Sequence, residues 1–171
     1  MTDLEPQDLM HLNAADGWLG FDNAIEADKE LKQIAPEMQR HPEVLARWCE
    51  MFAKAECWPK CEEVADEIIL LEPESTFGWI RRSFALHEQK LTGTARMKLL
   101  PALELFPKDI TIRYNLACYE CVLGNMSQAK LHLAEAFNLA LDQDCTDEWK
   151  KQMLGDPDLK PLWGMWDEVE I

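Results

Sequence analysis

Large and small apolar residues recur along this chain at a fixed spacing of 34 positions. Pro73 returns as Pro107, and the slots before each proline fill in register. Leu45, Trp79 and Arg113 share one column; Cys49, Ser83 and Ala117 a second; Cys61, Ala95 and Ala129 a third; Ile68, Ala102 and Ala136 a fourth. Three of these four columns carry mainly small residues. A period of this length, with small side chains where two helices must touch, is the signature of a stacked helix-turn-helix array.

The pattern predicts the first helix of each pair over 43–56, 76–89 and 110–123, and the second over 60–72, 94–106 and 127–140. Local punctuation agrees. Pro42 suits a first helical position after His41, while Ser75 and Asp109 can cap the helices that follow them. Gly124-Asn125 ends one helix, and Ser127 can cap its partner. A looser fourth copy stands first in the chain, over 7–36, with Ala15, Trp18 and Ala27 in the equivalent slots and Asn23 with Glu26 as a capping pair. Pro101 falls inside a predicted helix, where it removes a backbone bond to Met97 at a cost of about 3 kcal/mol. A bend is therefore expected near 97–101.

Beyond residue 141 the period stops. Thr146 to Leu154 reads as a further helix, Gly155-Asp156-Pro157 breaks it, and a final short helix would carry Leu159, Leu162, Trp163 and Trp166 on one face. Repeat arrays need a terminal element over their last exposed core face. Residues 142–171 are accordingly expected to cover the second helix of the last repeat, where Leu131, Phe137 and Leu139 would otherwise face water.

These residues resemble the tetratricopeptide repeat family. The best copy is Tyr114-Asn115-Leu116-Ala117-Cys118-Tyr119 followed by Leu123-Gly124-Asn125, Ala129, Leu133 and Ala136. The middle copy supplies Trp79, Ser83, Leu86, Ala95, Leu99, Ala102 and Pro107 in the family's order of aromatic, small, large, small, large, small and Pro. Lys90 stands where the family usually has Gly, and Leu141 fills the last Pro slot. The resemblance implies an all-α fold, a right-handed superhelix of antiparallel helix pairs with C-terminal capping helices. It implies one domain over 1–171, with repeats at 42–75, 76–109 and 110–141 after the degenerate 7–36 copy, then the capping segment.

Composition fits such a fold and narrows its partners. Leu, Ala and Met are plentiful and alternating strand formers are missing, which favours helix. The formal charge of −15 runs through both halves of the chain, a surface that repels phosphates and anionic lipid, so neither nucleic acid nor membrane is an expected partner. The N-terminal residues have no basic, apolar start, and the longest aliphatic run is Ile68 to Leu71, too short for a signal peptide or a spanning helix. A cytoplasmic location is expected. There the six cysteines would stay free thiols, two of them, Cys49 and Cys61, packing as small apolar groups.

Catalytic and metal constellations occur only as fragments. His87-Glu88 begins a zinc-protease motif, but Lys90 and Leu91 follow and no second His completes it. Asp142-Gln143-Asp144 begins a calcium loop, but Asp147 replaces the required Gly and Met153 the final Glu. Cys118 and Cys121 share a helix face and could bind metal or cycle through oxidation. Redox pairs of this kind gain their low thiol pKa at a helix N-terminus, however, and these lie in mid-helix. No enzyme activity, metal site or cofactor is expected.

What remains is the surface made by stacking. In tetratricopeptide arrays the first helix of each pair lines a concave groove, so the resemblance places Glu50, Phe77, Ile80, Phe84, His87, Tyr114, Cys118 and Cys121 on its wall. Exposed apolar patches of this sort mark partner sites; the competing reading is that some of these side chains pack against the N-terminal pair or the C-terminal tail. Asn115 matches a slot of the family's carboxylate clamp, but the wall lacks the accompanying Lys and Arg. The first functional reading is a non-catalytic adaptor that grips a peptide or helix bearing basic and apolar residues. The alternatives are a small chaperone for an aggregation-prone client and, from another class, a thiol or metal protein centred on Cys118 and Cys121.

Overall fold

The structure, a computed structural model, describes residues 3–165. Among these the fold is all-helical. Nine α-helices follow in order, α1 (Pro6–Gly20), α2 (Ala24–Leu31), α3 (Pro42–Lys54), α4 (Trp58–Leu71), α5 (Thr76–Glu88), α6 (Thr92–Leu105), α7 (Ile110–Val122), α8 (Met126–Asp142) and α9 (Thr146–Gly155). Short 3-10 turns occupy Pro36–Met38 and Pro157–Met165. Two compact units divide the chain, Met1–Ala85 and Leu86–Ile171, and the division falls within α5.

Every residue of the three small columns is buried: Cys49, Ser83 and Ala117; Cys61, Ala95 and Ala129; Ile68, Ala102 and Ala136. The degenerate first copy obeys the same rule through Ala15 and Ala27. Ser83 is a hydroxyl in an apolar slot, and it is satisfied by donating to the Ile80 carbonyl at 2.9 Å, as a buried polar group must be.

The turns repeat as faithfully as the core. Asp22, Glu56, Lys90 and Gly124 all have left-handed backbone, with φ of 58°, 53°, 64° and 82°. At each, the next residue's N–H reaches back five positions: Asn23 to Trp18, Cys57 to Phe52, Leu91 to Leu86 and Asn125 to Glu120, at 2.8–3.0 Å. This is the 6→1 bond of a Schellman ending, which satisfies carbonyls that the helix leaves open. Lys90 thus adopts the conformation its slot requires without being glycine.

Caps follow the sequence in most places. The His41 ring accepts from Glu43 N–H, Asn23 from Glu26 N–H at 3.2 Å, Ser75 from Phe77 N–H at 3.4 Å and Asp109 from Ile112 N–H at 2.9 Å. The Glu26 carboxylate turns instead to Lys29, so the capping pair is half made. Ser127 is not a cap, because α8 begins one residue earlier, at Met126, and Asn125 flanks it without a side-chain capping bond. Helix α6 runs from Thr92 to Leu105 through Pro101. Pro101 and Met97 both face solvent, where water can take the Met97 carbonyl that proline leaves unbonded.

In the first unit α1 packs on α2, α3 on α4, and α3 also touches α1 and α2. Leu12, Leu19, Leu31, Ile34, Val44 and Met51 form one core; Leu45, Ile68 and Ala85 surround Cys49 and Cys61 in the next. Gly78 lets α5 approach α4 closely: a β-carbon there would lie 2.8 Å from Ile69 Cγ1 and 3.1 Å from the Ala65 carbonyl oxygen.

In the second unit α7 is the central element, packed on α6, on α8 and on the 3-10 segment Pro157–Met165, while α9 packs on α8. The tail therefore covers the first helix of the last repeat as well as the second. Phe137 is buried, but Leu131 stays half-exposed. The final element is 3-10 rather than α and contains Pro161. With three residues per turn, positions i and i+3 eclipse, so Leu159 and Leu162 are both fully buried while Trp163 turns outward. Trp166, expected on the same face, lies outside the described residues.

Candidate functional site

The eight residues expected on a groove wall fall into two groups. Glu50, Phe77, Ile80 and Phe84 belong to the first unit; His87, Tyr114, Cys118 and Cys121 belong to the second.

In the first unit, Glu50 and Phe84 line one open recess of about 620 Å³, together with Asp16, Leu19, Gly20, Ala53, Lys54, Trp58 and Arg81. Phe84 is 36% exposed, and its ring meets the edge of Trp58 at 5.7 Å between centroids. The polar side is an alternating ion network. Arg47 Nε lies 2.9 Å from Asp16, its Nη1 donates to Glu50 at 3.1 Å, and Arg81 stands 3.6 Å from the other Glu50 oxygen. Lys54 donates to Asp22 at 2.8 Å, and that bond holds the Asp22 carboxyl below its usual range. Phe77 and Ile80 are half-buried; Phe77 packs against the second core, with the Arg81 guanidinium 5.2 Å over its ring. The recess thus joins an aromatic and aliphatic floor to polar groups that already neutralise one another.

Sequence reasoning missed Arg81, Lys54 and Trp58 as lining residues. A signal for Arg81 was present: Arg47, Arg81 and Asn115 stand 34 residues apart, so the clamp-like slot of the last repeat is an arginine slot in the two before it. The expectation that the wall lacks Lys and Arg is corrected in this unit.

In the second unit the four expected wall residues are all buried, and the C-terminal segment is what packs on them. Asp156 and Asp158 organise the contact. Tyr114 donates its phenol to Asp156 Oδ2, and the Cys118 thiol donates to the same oxygen at 3.7 Å. The other Asp156 oxygen accepts from Asp158 N–H at 2.9 Å, fixing the start of the 3-10 turn. Asp158 Oδ2 sits 2.8 Å from His87 Nε2, and His87 Nδ1 sits 3.0 Å from the Thr92 hydroxyl. A neutral ring donating from Nε2 would accept from Thr92 at Nδ1. Trp149 closes against Tyr114, and Tyr119 lies 5.0 Å from the His87 ring. The sequence marked Asp156 only as part of the break that begins a final short helix, and nothing in the period indicated where Asp158 would go.

Burial decides the chemistry of these groups. It pushes the Cys118 thiol well above its ordinary value, with the Asp156 carboxylate acting in the same direction, and it raises Cys121 and the Tyr114 phenol as well. A nucleophilic or metal-binding thiol needs the opposite shift. Among the described residues no group of three His, Cys, Asp or Glu side chains is arranged to hold a metal ion, all six cysteines are free, and no helix is long and apolar enough to cross a membrane.

No family model matches the chain, and no curated protein matches it in sequence. Solved structures do match it in fold. Residues 41 to the end of MamA from Desulfovibrio magneticus RS-1 superpose with a TM-score of 0.69 at 16% identity, covering 94% of this chain and 99% of that one. MamA MSR-1 C2 gives 0.67 at 13% identity, covering 80% and 78%. The fold is that of tetratricopeptide repeats. It accounts for the buried small columns and for the recurrent left-handed turns, and at these identities the likeness concerns the tetratricopeptide architecture alone.

Proposed function

We propose that the chain is a non-catalytic interaction scaffold that holds a segment of a partner protein in its first unit, anchored in the recess beside Glu50 and Phe84. The observation that carries this reading is the composition of the recess: Phe84, Trp58 and Ala53 leave apolar surface open next to the Glu50, Arg81 and Lys54 groups. An aromatic floor with polar groups at its rim is how protein interfaces build an anchor pocket. Phe77 and Ile80 extend the same wall.

The partner segment carries basic and apolar residues. Each cation at the recess already has a carboxylate, Arg47 and Arg81 on Glu50 and Lys54 on Asp22, while residues 1–85 hold 8 Lys and Arg against 18 Asp and Glu. The net field is acidic and steers a basic segment inward. The raised thiols of Cys118 and Cys121 speak against the redox or metal alternative. A cytoplasmic setting suits free thiols and this surface charge.

The test is affinity capture from native lysate with the parent chain and with Phe84→Ala and Glu50→Gln variants. A partner captured by the parent and lost at least tenfold with Phe84→Ala, at unchanged helicity, supports the anchor. Identical capture by all three chains removes it.

A further inference from the structure

The second unit holds a bound segment already. Asp156-Pro157-Asp158-Leu159 and Leu162 lie on the face made by α7 and the end of α5 in the way a peptide ligand would. Two carboxylates are received by named donors, Asp156 by Tyr114 and Cys118, Asp158 by His87. Two leucines three residues apart are wholly buried, while Lys160, Pro161 and Trp163 between and after them face water. The segment is 3-10, carries prolines at both 157 and 161, and falls outside the 34-residue period. It is thus a ligand-like insertion on a repeat face rather than a further repeat.

We propose that this face is a second recognition site, specific for a segment of the pattern Asp-x-Asp-Leu-x-x-Leu in a partner protein, and that the chain's own tail occupies it in cis as a built-in competitor. The inference stands apart from the recess of the first unit, with different residues and a ligand of opposite charge. Its chemistry is set by the receiving groups: a phenol and an imidazole N–H that each donate to a carboxylate, and two leucine seats at 3-10 spacing. Both donors are buried, so an incoming segment without the carboxylates would leave them unpaired, which disfavours it strongly. A tethered tail competes at an effective concentration on the order of millimolar. Free ligand therefore gains access to the parent chain only weakly, and any change that loosens the tail opens the site.

The experiment uses the full chain and a fluorescent peptide with the sequence of residues 155–165, followed by anisotropy. Leu159→Ala combined with Leu162→Ala unseats the tail, and Asp158→Asn loosens it with less disturbance to packing. Both variants should take up the peptide at least tenfold more tightly than the parent. A peptide with both aspartates changed to asparagine should bind at least fivefold more weakly. If the leucine variant fails to fold, Asp158→Asn decides alone. A folded variant with no gain in peptide affinity overturns the proposal, as does equal binding of the asparagine peptide. Concentration-dependent dimers without peptide uptake overturn it too, since the site would then serve tail exchange between two copies. In the parent, amides of 157–165 should exchange hydrogen faster than those of 114–121; equal protection would make the tail a permanent part of the core.

Discussion

Lys90 and Gly124 stand 34 residues apart and share one left-handed conformation, at φ of 64° and 82°. The slot closes a Schellman ending in each repeat, so the backbone geometry is imposed by the fold and the side chain has to tolerate it. For an L-residue with a β-carbon the conformation costs roughly 1–2 kcal/mol; glycine avoids this and loses some of the gain to its freer unfolded chain. No atom lies within 4 Å of a β-carbon built on Gly124, so its replacement is a purely conformational change. Gly124→Ala should lower the free energy of unfolding by about 1 kcal/mol and Lys90→Gly should raise it by up to about 1 kcal/mol, measured by urea denaturation. No change in either variant, or a shift of the reverse sign in either, would place the strain elsewhere.

The repeat was legible because its signal is redundant. Small residues at a fixed period, caps at Asn23, Ser75 and Asp109, Pro42 at a first helical position, and the Gly124-Asn125 stop all give the same frame, and the helices begin and end within a few residues of it. The tail was not legible in the same way. A period carries no information about a segment outside it, and the i, i+3, i+4, i+7 spacing of Leu159 to Trp166 suggested an α-helix that Pro161 disfavours. The candidate wall was half legible. The tetratricopeptide resemblance implied a wall carrying Glu50 and Phe84, and both line the recess, but burial of Tyr114, Cys118 and Cys121 depends on what packs over them, which is a tertiary fact. Buried charge was the least visible of all, because a glutamate in a helix reads as solvated until its partners are known.

Glu120 is that case. It is 1% exposed, with one oxygen facing Arg96 Nε and the other accepting from Asn125 Nδ2 at 2.7 Å. Removing one partner of such a pair leaves an uncompensated charge in the core, whereas replacing both by apolar groups of similar volume is often neutral. Arg96→Ala should therefore cost about 3–5 kcal/mol. Arg96→Met combined with Glu120→Met should recover most of that loss. A cost below about 1 kcal/mol for Arg96→Ala would mean that water reaches Glu120 and that the pair behaves as a surface contact.

The buried thiols give the fold an alkaline limit. Cys118 and Cys121 are raised in the folded chain, so folding favours their protonated forms. Their contribution is complete below the ordinary thiol value of about 8.5. It declines as pH rises beyond that point, because the unfolded chain then loses protons that the folded chain keeps. Stability from urea denaturation should fall progressively between about pH 8.5 and 10. Serine does not titrate there, so Cys118→Ser with Cys121→Ser should make the decline shallower. In the same range iodoacetamide should modify the half-exposed Cys57 and Cys145 well before Cys118. A profile unchanged by the double substitution would assign the alkaline loss to other groups.

Gly78 tests how closely α5 must approach α4 in the first unit. Alanine is favoured over glycine inside a helix by about 0.8–1.0 kcal/mol, so open helical sites gain from the change. At Gly78 the new methyl would meet Ile69 Cγ1 at 2.8 Å, the Ala65 carbonyl oxygen at 3.1 Å and Ile69 N at 3.1 Å. The side-chain contact can yield; the two backbone contacts can yield only if the helices separate. Overpacking of this kind costs typically 1–3 kcal/mol, enough to outweigh the propensity gain. Gly78→Ala should therefore destabilise, while Gly17→Ala in α1, where no atom lies within 4 Å of the added carbon, should stabilise by up to about 1 kcal/mol. In an Ile69→Ala background the Gly78→Ala penalty should shrink without vanishing, since the Ala65 carbonyl remains in place. If Gly78→Ala and Gly17→Ala shift the melting temperature in the same direction, α5 is not held against α4 at the distance the structure shows.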